Sequence, residues 1–222
     1  MKKYYKYITA LFLTAIFTVS MPVLAAAESS QVRMTRVAAE SGDAEAQYHL
    51  ALAYDSGDGI ELDHEKAVYW YQKAADQGYV DAMFNLAVSY DEGEGVELDD
   101  QMAIFWYTKA AELNDSDAQN NLAVMYEDGE GTDVDYAKAL YWYTKSAENG
   151  NSLAQYNLAD LYYNGRGVAP NKIEAYAWFA VAAENDESGA DERRRGVWRE
   201  LNKDDRIKAR ELAAQYIDEY TL

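Results

Sequence analysis

The sequence predicts an all-α protein, a solenoid of about four 36-residue helix-turn-helix repeats with capping helices at its ends. An aromatic signature returns at a constant step: Ala67-Val68-Tyr69-Trp70-Tyr71, Ala103-Ile104-Phe105-Trp106-Tyr107, Ala139-Leu140-Tyr141-Trp142-Tyr143 and Ala175-Tyr176-Ala177-Trp178-Phe179. A fixed period in this range marks a repeat array, not a single globular core. Ahead of each signature stands a second apolar stripe with helical spacing, and a glycine pair separates the two. Solenoids present long surfaces and commonly bind other macromolecules.

The N-terminal segment reads as a secretory signal peptide over 1–27. Met1-Lys2-Lys3-Tyr4-Tyr5-Lys6 is basic, Ile8 to Leu24 is largely apolar, and Val23-Leu24-Ala25-Ala26-Ala27-Glu28 offers small residues for cleavage after Ala25 or Ala27. An uncleaved anchor is the competing reading, but the apolar run is short for a bilayer span of roughly 20 residues. A bacterial periplasm is the expected location. Residues 28–45 are expected to hold a flexible tail over 28–31 and a capping helix, because Ala38-Ala39-Glu40-Ser41-Gly42 matches 74–78 at the same period.

Repeats are expected at 46–81, 82–117, 118–153 and 154–189. The first helix of each carries Ala46, Leu50, Ala51 and Tyr54 on one face, recurring as Ala82, Leu86, Ala87 and Tyr90, as Ala118, Leu122, Ala123 and Tyr126, and as Ala154, Leu158, Ala159 and Tyr162. Glycine tolerates the left-handed backbone that closes a helix, and Gly57/Gly59, Gly93/Gly95, Gly129/Gly131 and Gly165/Gly167 supply it. Asp63, Asp99, Asp135 and Asn171 are N-cap residues for the second helix. Its buried stripe is Ala67, Trp70, Tyr71, Ala74 and Ala75. Gly78, Asn114, Gly150 and Asp186 end it. Residues 190–222 read as two capping helices, with Asn202 followed by Asp205 as a helix-start signature.

The chain has 39 Asp and Glu against 20 Lys and Arg, a formal charge of −19. Lys2, Lys3 and Lys6 lie in the signal segment, so the remainder is more acidic still. That field repels nucleic acid and anionic membranes; it serves solubility alone or, equally, the choice of a cationic partner. The absence of cysteine excludes disulfides, thiol chemistry and thiolate metal sites. Of the two histidines, His64-Glu65 lacks the second His of a metalloprotease helix. No Gly-x-Ser-x-Gly elbow or Ser-x-x-Lys motif occurs, and the Gly-x-Gly pairs follow helices and lack a phosphate-binding context. No catalytic residue, metal ligand or cofactor is assigned.

The run Ala154-Gln155-Tyr156-Asn157-Leu158-Ala159, Tyr162-Tyr163-Asn164-Gly165-Arg166-Gly167-Val168, Ala175-Tyr176-Ala177-Trp178-Phe179 and Ala182-Ala183-Glu184 resembles the Sel-1-like repeat family. The resemblance covers residues 31–187 well and the C-terminal helices loosely. Ala51, Ala87, Ala123 and Ala159 stand where the family often carries Gly. The resemblance implies a right-handed α/α superhelix related to tetratricopeptide repeats, and an adaptor in protein complexes.

In such an architecture the first helices line the concave face. Their second stripe gives four rows: Tyr48, Phe84, Asn120 and Tyr156; His49, Asn85, Asn121 and Asn157; Leu52, Val88, Val124 and Asp160; Asp55, Asp91, Glu127 and Tyr163. This is an apolar floor, an asparagine ladder able to pair with an extended backbone, and an acidic edge suited to Lys or Arg. A protein or peptide partner with basic residues is the expected ligand. Satisfying neighbouring helix backbone is the simpler reading of the asparagines, and the aromatic row reads equally as ordinary packing between repeats. A carboxylate-based hydrolase or a divalent-cation-binding envelope protein is the alternative, since Asp58, Glu61 and Asp63 recur as Glu94, Glu97 and Asp99 and as Glu130, Asp133 and Asp135. Solvated loop charge is the simpler account of that recurrence. The four signature tryptophans are expected in the core, not on a sugar-binding platform.

Overall fold

A computed structural model describes residues 28–221; the expected signal peptide over 1–27 lies outside the described residues. These form eleven helices and no strand: α1 (Ser30–Glu40), α2 (Ala44–Ser56), α3 (His64–Ala75), α4 (Val80–Glu92), α5 (Asp100–Glu112), α6 (Ser116–Asp128), α7 (Tyr136–Glu148), α8 (Ser152–Asn164), α9 (Lys172–Glu184), α10 (Ala190–Glu200) and α11 (Lys203–Tyr220). Helices α2 to α9 pair as four hairpins, and each hairpin stacks on the next. None of the described helices is long and apolar enough to cross a membrane.

The recurring stripes become one continuous core. Leu50, Leu86, Leu122 and Leu158 are wholly buried, as are the alanines that follow them. Burying each leucine contributes about 1.5–3 kcal/mol. The alanines bring helices close, and Tyr71, Tyr107, Tyr143 and Phe179 fill the space between the two helices of a unit. The tryptophans correct the expected stripe. Trp106 and Trp178 are buried, whereas Trp70 and Trp142 are half-buried and stack edge-on against Tyr69 and Tyr141.

The first helices begin two residues earlier than the apolar pattern suggests. Asp43, Asp115 and Asn151 cap them through the backbone N–H of Ala46, Ala118 and Ala154. The apolar stripe starts at the first buried residue, one turn after the cap. The second helices open at Asp63, Asp99, Asp135 and Asn171, whose side chains accept backbone N–H bonds. Their own N–H groups donate to the carbonyls of Tyr54, Tyr90, Tyr126 and Tyr162, clamping each inter-helix loop.

The two glycines of each pair do different things. Gly93 closes α4 with a left-handed φ of 71°. Gly95, also left-handed, lies against the preceding unit, where an added Cβ would stand 2.2 Å from the His64 carbonyl oxygen. The loop of one repeat thus rests directly on the start of the second helix of the repeat before it.

The ends differ from expectation in one respect. Residues 28–31 are anchored: Ser29 donates its backbone N–H to the Gly59 carbonyl and caps Val32, and Glu28 pairs with Arg36 at 2.7 Å. At the far end Asn202 caps α11 through Asp204 and Asp205, and its amide donates back to Asp205. Helix α11 folds across α9, with Tyr216 and Tyr220 against the Trp178 ring. It covers Ala177 completely, whereas the equivalent Tyr69, Phe105 and Tyr141 are 46–54% exposed.

Candidate partner-binding face

The four predicted rows lie on α2, α4, α6 and α8. The aromatic row is half-buried. Tyr48, Phe84 and Tyr156 lean on Tyr71, Tyr107 and Phe179 of the same repeat, with ring centroids 6.1, 5.9 and 5.2 Å apart. Asn120 interrupts the row and is only 4% exposed, so it is not a groove-lining residue. Its amide donates to Asn121 and its oxygen accepts from Asn157 at 3.3 Å.

The asparagine ladder is largely engaged within the solenoid. Asn121 donates to the Tyr107 hydroxyl of the preceding repeat at 3.2 Å. Asn157 reaches back to Asn120. His49 is the exposed member of this row, 3.8 Å from Glu45. In the third row Leu52, Val88 and Val124 each leave part of an apolar side chain open, while Asp160 accepts bonds from Asn164 and pairs with Arg193.

The acidic edge is built on buried phenols. Tyr71, Tyr107 and Tyr143 donate to Asp55, Asp91 and Glu127 at 3.1, 3.3 and 2.9 Å. Burial, together with the adjoining carboxylate, pushes all three phenols far up, so they act as hydrogen-bond donors. In the fourth repeat Phe179 replaces the phenol, and Tyr163 donates to Glu200 at 2.8 Å.

Compensation of this edge changes along the array. At the edge of the third repeat Glu127 pairs with Arg166, from the loop of the fourth, at 2.8 Å. In the fourth, Lys172 pairs with Glu200 at 2.8 Å and the Arg193 guanidinium lies over the Tyr163 ring. The second repeat has no such cation. Asp91, Asp100 and Glu130 form no ion pair with Lys or Arg among the described residues. Burial raises the Asp91 carboxyl, an effect the Tyr107 hydroxyl partly offsets and the Asp100 charge reinforces. Burial also raises Glu130, with Asp91, Asp128 and Asp100 adding repulsion.

One polar series was not anticipated from sequence. Gln47, Gln119 and Gln155 are buried and donate to the carbonyls of Ala39, Ala111 and Ala147 at 3.0–3.1 Å. Their oxygens accept from Gln77, Asn149 and Asn185. These amides join consecutive units, and Met83 takes the position in the second repeat. The signal was present as glutamine beside the first-helix alanine at the repeat period.

The architecture and its period define the class, an α/α repeat solenoid. The Sel1 repeat profile matches residues 44–79, 80–115, 116–151 and 152–187. The chain belongs to the Sel1 repeat family, whose members generally mediate protein–protein interaction. It is similar to the solved structure of a protective antigen from uropathogenic Escherichia coli that displays an SLR fold, with 35% identity and a TM-score of 0.79. That likeness covers 86% of this chain and 41% of the antigen, so the chain spans about two fifths of the antigen's length. It is also similar to a Sel1 repeat protein from Oxalobacter formigenes, at 27% identity and a TM-score of 0.70, covering 84% of each chain. No curated protein matches the sequence.

Proposed function

We propose that this chain is an exported, periplasmic interaction scaffold that receives an extended, basic segment of a protein partner along α2, α4 and α6. The observation that carries this reading is the convergence of Asp91, Asp100 and Glu130 without a Lys or Arg of the chain's own. Burial first, and the neighbouring acids after it, raise two of these carboxyls, so the folded protein holds negative charge there at a cost. A partner's Lys or Arg relieves that cost. Where the chain supplies its own cations, at Arg166, Lys172 and Arg193, the edge is already neutralised. The basic segment therefore belongs over the first two repeats and the start of the third.

Beside this edge, Leu52, Val88 and Val124 supply apolar contact and the edges of Tyr48 and Phe84 supply aromatic contact. His49, the exposed member of its row, is the polar group placed to meet the peptide backbone. The asparagine ladder mainly holds the units in register, and Asn85 is the member nearest the uncompensated edge by repeat position. The N-terminal signal signature supports export, and the acidic balance supports a cationic partner. Catalysis is no part of this reading.

The test is fluorescence anisotropy with labelled extended peptides that differ only in Lys and Arg against Glu and Gln. Binding restricted to the basic peptides, weakened by salt and by Asp100→Lys, supports the reading. Equal binding of basic and acidic peptides, or indifference to Asp100→Lys, removes it.

A further inference from the structure

The first inter-repeat junction differs chemically from the other two. Asp55 ends the first helix of repeat one, His64 opens the second helix, and Glu94 lies between Gly93 and Gly95 in the loop of repeat two. Two repeats thus deliver three side chains, one from each of three separate elements, to a single place. Gly95 makes this possible, because its backbone lies directly against the His64 carbonyl and carries Glu94 with it. One nitrogen and two carboxylate oxygens lie within 4.8 Å of one another.

We propose that Asp55, His64 and Glu94 bind a divalent transition-metal ion of the zinc class. The donor set is the first argument. Imidazole nitrogen with carboxylate oxygens suits zinc and neighbouring first-row ions, whereas calcium and magnesium take oxygen alone. Geometry is the second. Ligand atoms held about 2.0–2.2 Å from a metal stand roughly 3–3.5 Å apart. His64 Nδ1 and Asp55 Oδ1 already stand 2.9 Å apart, and a carboxylate oxygen of the exposed Glu94 lies within 4.8 Å of both. A metal there would sit between these two groups, ligated by His64 Nδ1 in the tautomer that carries its N–H on Nε2. Asp55 is also oriented from behind: its second oxygen accepts the Tyr71 hydroxyl at 3.1 Å.

The third argument comes from the repeat itself. The counterparts of Asp55, His64 and Glu94 one repeat before the last are Glu127, Tyr136 and Arg166. There the Arg166 guanidinium pairs with Glu127 at 2.8 Å and lies over the Tyr136 ring. In the last unit Lys172 holds the histidine position and pairs with Glu200. The fold seats a positive group at this junction where the chain provides one. At the second junction the counterparts are three carboxylates, Asp91, Asp100 and Glu130; at the first an imidazole joins two carboxylates, the donor set a transition metal takes. Of the loop carboxylates picked out by the repeat pattern, Glu94 takes part. Three protein ligands leave open coordination positions, so a partner side chain or water completes the sphere. This proposal stands apart from peptide binding, since it is tested with metal alone.

Calorimetric titration of the chain with zinc chloride, at about 150 mM salt to screen diffuse binding, is the experiment. One equivalent is expected to bind, and His64→Gln and Glu94→Gln are each expected to weaken it about tenfold or more. His49→Gln, which touches the other histidine, is expected to leave the affinity unchanged. Circular dichroism confirms that each variant is folded. Retained affinity in both His64→Gln and Glu94→Gln, or loss on His49→Gln alone, overturns the site.

Discussion

Tyr143 donates its hydroxyl to Glu127, 16 residues earlier, at 2.9 Å. The same step joins Tyr107 to Asp91 and Tyr71 to Asp55. The bond ties the core of each unit to its acidic edge. A wholly buried ring thereby sets the position of a carboxylate that solvent and partner can reach. Its loss should reveal how much the edge depends on the core.

Tyr107→Phe removes the hydroxyl that serves both Asp91 and Asn121. Leaving two partly buried polar groups unpaired is expected to cost about 1–2 kcal/mol. Tyr143→Phe is expected to cost less, because Glu127 keeps its ion pair with Arg166. Urea unfolding of the two variants measures the difference. Equal losses would show that the arginine does not compensate.

Two glycines of neighbouring repeats predict opposite outcomes. At Gly95 both the left-handed φ of 73° and the contact with His64 backbone oppose a side chain. Gly95→Ala is expected to cost at least about 2 kcal/mol and to loosen the first junction. Gly78 has a φ of 89° but nothing within 4 Å of an added Cβ, and Asn114 occupies the equivalent place with a φ of 66°. Gly78→Asn is expected to cost less than about 1 kcal/mol, as asparagine tolerates this backbone. Thermal unfolding separates the two.

Glu130 and Asp91 have carboxyls raised by burial and by neighbouring acids. A raised carboxyl binds its proton more tightly in the folded state than in the unfolded one. Their contribution to stability is therefore unfavourable above the folded values and is relieved as pH falls through them toward the unfolded values. Glu130→Gln is expected to raise the melting temperature at pH 7, with the gain fading as the wild type protonates in acid. A gain that persists unchanged at low pH would assign the effect to something other than charge.

The period, the two helices per unit and the second-helix caps were legible because each rests on local chemistry repeated four times, and the start of the last helix because Asn202 caps it through its own near neighbours. The same pattern placed the first helix at Ala46 and not Ala44, since the apolar stripe marks burial and the cap precedes it by a turn. The groove rows were found by adding the period, which conveys position but not occupancy. Whether Asn121 meets a ligand or Tyr107 depends on a neighbouring unit. Compensation by Arg166 or Arg193 likewise arises across repeats or from the capping helix. The anchoring of 28–31 through Ser29 and Gly59 joins residues with no shared pattern, so nothing local announced it.

The central claim is that a partner lies along the first-helix face over the leading repeats. Site-specific photo-crosslinking in the native host tests it most directly, with a benzoyl-phenylalanine at His49 on α2 or at Phe105 on α5. Both side chains are well exposed, so either tolerates an aromatic probe. A discrete protein adduct from position 49 and none from position 105 is the predicted result. Adducts from position 105 with none from position 49 would contradict it.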